Sequence, residues 1–124
     1  MNSDEIRALD QQYVMQTYRR NPLAIDHGKG AVLWSPEGKE YIDFTSGIGV
    51  CSLGYANEAW ANAIYDQAMR VGHISNLFYT EPYARLASKL VPAAGMAAVF
   101  FGNSGAEANE GIIKVARKYS YEKY

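Results

Sequence analysis

Cysteine, proline and long apolar runs are all scarce in this sequence. A single cysteine among 124 residues, Cys51, excludes an internal disulfide and fits a reducing, cytoplasmic setting. No apolar run approaches the ~20 residues that span a membrane. The polar start has neither the basic nor the apolar segment of a signal peptide. We therefore expect neither a secreted disulfide scaffold nor a membrane protein.

An excess of charge of one sign is missing as well. The 12 Lys and Arg residues against 13 Asp and Glu residues give a net charge of −1, which argues against nucleic acid or an anionic membrane as partner. His27 and His73 lie far apart without metal-ligand spacing, and Cys51 has no evident His and acid partners. We predict no metal site and no cysteine nucleophile.

The first half of the chain predicts a helix and a β-hairpin. Ser3 is the expected N-cap of a helix that runs to about Thr17. Strands are expected at residues 31–34 and 40–44, on either side of a turn that contains Pro and Gly. Residues 46–54 contain three glycines and predict a loop that bends sharply or lets a ligand come close.

The second half predicts helices around one buried strand. Asn57 is expected to cap a helix that Gly72 ends, and the next helix opens at Thr80 and stops at Pro92. The apolar run 97–101 predicts a strand of a parallel sheet, followed by a tight turn and a last helix. This order is typical of the opening of an α/β domain. Because no cap or stop signal precedes the final residue, we expect a piece of a longer protein.

The turn before the last helix is the segment most suggestive of chemistry. Residues 102–106 bring small side chains and free amides to a helix N-terminus, where the helix dipole favours a phosphate. The segment is neither a Walker A loop nor a dinucleotide-binding GxGxxG sequence. From these residues alone, a phosphate site and a capped turn that binds nothing both remain open.

Three segments in order resemble one family. Residues 101–119, beginning FGNSGAEANE, resemble the phosphate-cup helix of class III pyridoxal-phosphate (PLP) aminotransferases. Residues 43–54, DFTSGIGVCSLG, resemble their substrate loop, and residues 72–82, GHISNLFYTEP, are similar to the acetylornithine aminotransferase branch. One departure is at residues 54–58, where GYANE replaces the usual Gly-His-x-His-Pro, so any role of those histidines is lost.

The resemblance implies an α/β fold, the N-terminal part of a fold type I PLP-dependent transferase. Residues 1–56 would contribute to the small domain, and residues 57–124 would begin the large PLP-binding domain. The cofactor would be pyridoxal 5′-phosphate, with Ser104, Gly105 and Ala106 as its phosphate cup. The resemblance gives this chain no catalytic residue, because the Schiff-base lysine and its partner groups would come from later in a longer chain.

The implied activity is transfer of an amino group between N-acetylornithine and 2-oxoglutarate, in arginine biosynthesis, by a cytoplasmic homodimer. Tyr18 and Ile48 would lie near the substrate, and an apolar Ile48 is more similar to the acetylornithine branch than to the ornithine branch. Residues 75–79 would contact the second subunit. Related aminotransferases of ornithine, succinylornithine or 4-aminobutyrate are alternatives, as is a non-catalytic phosphate-binding or interaction module. The 124-residue chain alone is expected to be inactive.

Overall fold

The computed structural model describes all residues from 1 to 124 and separates into two units. The first unit, Met1–His73, contains α1 (Ser3–Tyr13), β1 (His27–Lys29), β2 (Val32–Trp34), β3 (Glu40–Ile42), α2 (Ser46–Gly49) and α3 (Glu58–Val71). The second unit, Ile74–Tyr124, contains α4 (Glu81–Ala94) and α5 (Gly105–Lys123). The predicted boundary at residues 56/57 concerns the domains of a complete protein and stays a prediction.

Helix α1 begins with a capping box. The Asn2 side chain accepts a hydrogen bond from the Glu5 amide at 2.9 Å, and the Glu5 carboxylate accepts one from the Asn2 amide at 3.0 Å. The prediction that Ser3 is the cap is therefore wrong. The Ser3 amide and hydroxyl instead donate to the Glu37 carboxylate, both at 2.7 Å. These bonds tie α1 to the hairpin turn and lower the pKa of Glu37 to about 2.

The end of α1 also differs from the prediction. The helix stops at Tyr13 rather than near Thr17, because Val14 adopts an extended conformation. The Val14 amide still donates to the Asp10 carbonyl at 2.9 Å, so the last turn is closed before the chain leaves the helical path.

The hairpin prediction is confirmed, and the structure adds a third strand. Strands β2 and β3 pair antiparallel, with Leu33 opposite Tyr41. Strand β1 pairs antiparallel with β2, which gives the order β1-β2-β3. The His27 ring stacks on Trp34 across the strands, with centroids 4.9 Å apart. Gly38, with φ at 77°, supplies the left-handed residue that the turn between β2 and β3 requires.

The predicted start signals of α3 and α4 are confirmed, but one stop signal is wrong. Asn57 caps α3 by accepting from the Trp60 amide at 3.0 Å. Helix α4 continues through Pro92 to Ala94 and is capped by Gly95, which is left-handed with φ at 64°. A proline this close to a helix end displaces few backbone hydrogen bonds, so the helix continues until a glycine can reverse the backbone.

The predicted strand at residues 97–101 does not form. This segment is neither helix nor strand, and Phe100 is 68% exposed. A parallel strand needs a neighbouring strand for its hydrogen bonds, and the second unit contains no other strand to supply them. Helix α5 nevertheless starts at Gly105, within the segment 102–106 where a helix N-terminus was predicted. The Phe101 ring packs edge-on against Tyr83 of α4, with centroids 4.7 Å apart.

Little of the apolar surface is buried. Ala24 is the buried apolar residue and Ser35 the buried polar one, while Trp60 and Ile64 on α3 remain exposed. Caps, turns and strand pairing therefore define the local geometry of the two units more than a packed core does. None of the helices combines the length and apolar character needed to cross a membrane.

Candidate functional site

The start of α5 has the features of an anion site. Ser104 is the N-cap, and its Oγ accepts a hydrogen bond from the Glu107 amide at 3.2 Å. Gly105 and Ala106 are the first two helical residues, so their amides have no acceptor within the helix. These two N–H groups lie at the positive end of the helix dipole, where a phosphate is favoured.

Glu107 completes the cap and adds a negative charge beside it. Its carboxylate accepts a hydrogen bond from the Asn103 amide at 2.6 Å and lies 3.3 Å from the Ser104 Oγ. The Asn103 amide, followed by the Asn103 side chain, lowers the pKa of Glu107, so this carboxyl is ionised at neutral pH. The carboxylate uses the Asn103 amide but leaves those of Gly105 and Ala106 available.

The space beside Gly105 is open. A methyl group built on Gly105 would meet no heavy atom within 4 Å, whereas one on Gly102 would lie 3.3 Å from the Glu107 side chain. Free backbone amides and a cap hydroxyl are groups that can bind the phosphate of a cofactor such as PLP, and open space lets the phosphate approach them. The nearest lysine along this helix, Lys114, is nine residues past Gly105, or about 14 Å along the axis. Its ammonium lies 3.4 Å from Glu110.

The glycine loop of the first unit contains a left-handed turn. The four residues of α2, Ser46 to Gly49, have φ values of 47°, 60°, 62° and 77°. Ser46 and Ile48 are not glycine, and each non-glycine residue in this conformation costs about 1–2 kcal/mol. A β-branched residue here is an outlier, and such strain is concentrated at functional sites.

Two residues that sequence reasoning missed hold this turn. The Asp43 Oδ1 accepts hydrogen bonds from the Thr45 amide at 2.7 Å, the Thr45 hydroxyl at 2.6 Å and the Ser46 amide at 3.2 Å. The Tyr55 hydroxyl donates to the Asp43 Oδ2 at 2.7 Å. Mainly through the Thr45 hydroxyl, these bonds lower the pKa of Asp43 to about 2, and the bond to Asp43 raises that of Tyr55 to about 12.

The two predicted substrate residues both lie in the first unit, and both are exposed. Ile48 lies in the left-handed turn and is 95% exposed, and Tyr18 lies between α1 and β1 and is 75% exposed. No hydrogen bond joins them, so their part in a substrate site stays a prediction. Ser104, Gly105 and Ala106 are brought together by α5. No group of three or more His, Cys, Asp or Glu side chains is placed to hold a metal ion.

Comparison with known proteins gives the family. Residues 13–124 match the family described as aminotransferase class-III, and the chain belongs to it. The acetylornithine aminotransferase of Haemophilus ducreyi is 57% identical over 124 residues, which are 100% of this chain and 32% of that protein. The chain therefore spans about a third of the length of this curated relative. The resemblance seen in the sequence is confirmed.

Solved structures agree with the family. The acetylornithine aminotransferase of Elizabethkingia anophelis superposes with a TM-score of 0.91 at 32% identity, covering 99% of this chain and 32% of that one. The ornithine aminotransferase of Toxoplasma gondii, described with partial occupancy of PLP at its active site, gives 0.90 at 34% identity, covering 98% and 28%. The predicted fold, part of an α/β PLP-dependent transferase, is confirmed.

Proposed function

We propose that this chain is part of an enzyme that moves an amino group between N-acetylornithine and 2-oxoglutarate, a step of arginine biosynthesis. The observation that carries this proposal is the start of α5 in a class III aminotransferase, where two free amides and a glycine without steric neighbours would serve as a phosphate cup. The relative from Haemophilus ducreyi, 57% identical to this chain, supports acetylornithine as the donor.

The proposed cofactor is pyridoxal 5′-phosphate. The amides of Gly105 and Ala106 would bind its phosphate, and the Ser104 hydroxyl would donate a third hydrogen bond after turning from Glu107. When bound, PLP supplies the aldehyde and the electron sink that transamination needs. The six lysines of this chain are not assigned a Schiff-base role, and the resemblance implies that the complete protein provides that lysine elsewhere.

Substrate choice is proposed to depend on the first unit. An exposed, apolar Ile48 offers contact surface to an acylated chain and no hydrogen bond to a free terminal amine. The amino donor with the acyl group would therefore be preferred over ornithine. Tyr18 would contribute an aromatic ring and a hydroxyl near the substrate entrance.

An assay of the complete protein tests this function. With PLP and 2-oxoglutarate present, we expect kcat/KM for N-acetylornithine to exceed that for ornithine and 4-aminobutyrate by at least about tenfold. Ornithine would leave a charged terminal amine unpaired against apolar Ile48, and 4-aminobutyrate has no acyl group to contact it. Succinylornithine, which is also acylated, should be the nearest competitor. Glutamate formation measures the reaction. A preference for ornithine would contradict the substrate assignment, and no transfer from any donor would contradict the function.

The complete protein is proposed to be a cytoplasmic homodimer in which residues 75–79 contact the second subunit. Leu77, Phe78 and Tyr79 are all exposed in this structure, and such apolar groups are typical of protein interfaces. Phe78→Glu should weaken the dimer by at least about tenfold because it brings a charge into the contact. Sedimentation across a concentration series measures this, with Lys89→Glu on exposed α4 as a control. An unchanged dimer would show that this segment lies outside the interface.

The domain assignment of the complete protein is also a proposal. Residues 1–56 would belong to the small domain and residues 57–124 to the large PLP-binding domain. Experimental coordinates of the complete protein would test this division.

A further inference from the structure

Tyr55 is fixed to the sheet at three points. Its amide and carbonyl exchange hydrogen bonds with Gly30 at 2.8 and 2.9 Å. Its ring lies against Gly28, since a methyl group built there would approach the Tyr55 Cγ to 2.7 Å. Its hydroxyl is held by Asp43 at 2.7 Å. A side chain restrained at backbone, ring and hydroxyl has little freedom to move.

Asp43 passes this restraint on to the left-handed turn. Its amide donates to the Ala31 carbonyl at 2.9 Å, which fixes its own position at the end of β3. One of its carboxylate oxygens is held by Tyr55, so the other is directed at the amides of Thr45 and Ser46. The Asp43 carboxylate thus links the left-handed turn to the sheet and restrains its conformation.

The turn needs such an external hold. Ser46 and Ile48 are in the left-handed region, which non-glycine residues leave unless the surroundings enforce it. Within the turn, the Cys51 amide donates to the Ser46 carbonyl at 2.8 Å. Within residues 1–124 the Ile48 side chain is almost fully exposed, so no burial in this part of the protein offsets its backbone strain. A strained residue that presents an apolar side chain to its surroundings is suited to contact a ligand.

We propose that Tyr55, acting through Asp43, is a positioning residue that holds the left-handed turn so that Ile48 meets the acyl chain of the amino donor. This inference rests on the proposed aminotransferase function. The Tyr55 hydroxyl touches no substrate in this proposal and acts only through the turn.

The test compares two tyrosine variants of the complete protein. Tyr55→Phe removes only the hydroxyl, and Tyr41→Phe removes a hydroxyl from β3 without affecting the bond to Asp43. We expect Tyr55→Phe to lower kcat/KM for N-acetylornithine about tenfold, mainly through KM, as loss of a hydrogen bond to a carboxylate would do. The value for glutamate, which has no acyl chain, and the Kd for PLP should change less than twofold. Tyr41→Phe should change none of them.

A second measurement does not depend on activity. Hydrogen exchange of the amides at residues 45–51 should be about tenfold faster in Tyr55→Phe, and unchanged in Tyr41→Phe. Equal behaviour of the two variants in both measurements would overturn the inference, as would an equal loss for both donors with weaker PLP binding. An unmodified protein without transaminase activity would count against the proposed function, and the exchange rates would then decide alone whether Tyr55 holds the turn.

Discussion

Gly105→Asp in the complete protein is expected to raise the Kd for PLP about a thousandfold. The substitution places a carboxylate at the first residue of α5, where the phosphate would bind. Two unit charges about 4 Å apart repel by about 4 kcal/mol in a partly exposed site, which corresponds to three powers of ten in affinity. The expected cause is electrostatic, because Gly105 lies outside the left-handed region and a side chain there meets no neighbouring atom. Spectral titration with PLP measures the effect.

A matched variant separates the cup from general damage. Asn109→Asp adds the same charge to the same helix, one turn further from its N-terminus, and should leave the Kd within a few-fold of the unmodified protein. An aspartate in the first turn suits the helix dipole, so the cofactor-free Gly105→Asp protein should keep its melting temperature. Unchanged PLP affinity in Gly105→Asp would show that the phosphate binds elsewhere.

The chain of residues 1–124 prepared alone is expected to show no transaminase activity and a Kd for PLP above about 1 mM. A helix N-terminus contributes about 0.3–1 kcal/mol to anion binding when exposed and up to about 2 when partly buried. A micromolar complex needs about 8 kcal/mol and a millimolar one about 4. The cup is exposed, and the chain offers no assigned partner for the cofactor ring.

The measurement compares this chain with the complete protein by spectral titration and glutamate formation. Exposed lysines can form adventitious imines with an aldehyde, so an absorbance change alone is not decisive; the Gly105→Asp form of the short chain serves as the reference. Micromolar binding that this substitution abolishes, together with turnover of N-acetylornithine by the short chain, would contradict the prediction.

Helix starts and turns were predicted from the sequence more accurately than the contacts between distant segments. Asn57, Gly38 and Ser104 have backbone preferences that depend on near neighbours, so the cap of α3, the hairpin turn and the start of α5 could be predicted. The strand expected at residues 97–101 depends on partners that the second unit does not contain, and an apolar run cannot report whether they exist. The prediction that α4 stops at Pro92 was wrong, because a proline in the last turn of a helix need not end the helix at that residue.

The candidate site residues also fall into those that could be predicted from the sequence and those that could not. The proposed cup could be located from the sequence because its cap residue, its glycine and the start of the helix are consecutive. The pair Asp43 and Tyr55 was not predicted, because the two residues meet only when the sheet and the Gly30 bridge bring the chain back on itself. The left-handed conformation of Ile48 was also unpredictable, since a β-branched residue is among the least suited to it.

At the left-handed turn, selection for stability and selection for substrate specificity would favour different residues. Glycine at position 46 or 48 would relieve backbone strain, and asparagine would relieve part of it. Variants enriched only for heat resistance would therefore drift toward these residues. Variants selected for discrimination among amino donors would retain isoleucine at position 48 despite its backbone strain. Directed evolution that ignores this conflict would gain stability at the position where an apolar side chain is proposed to choose the substrate.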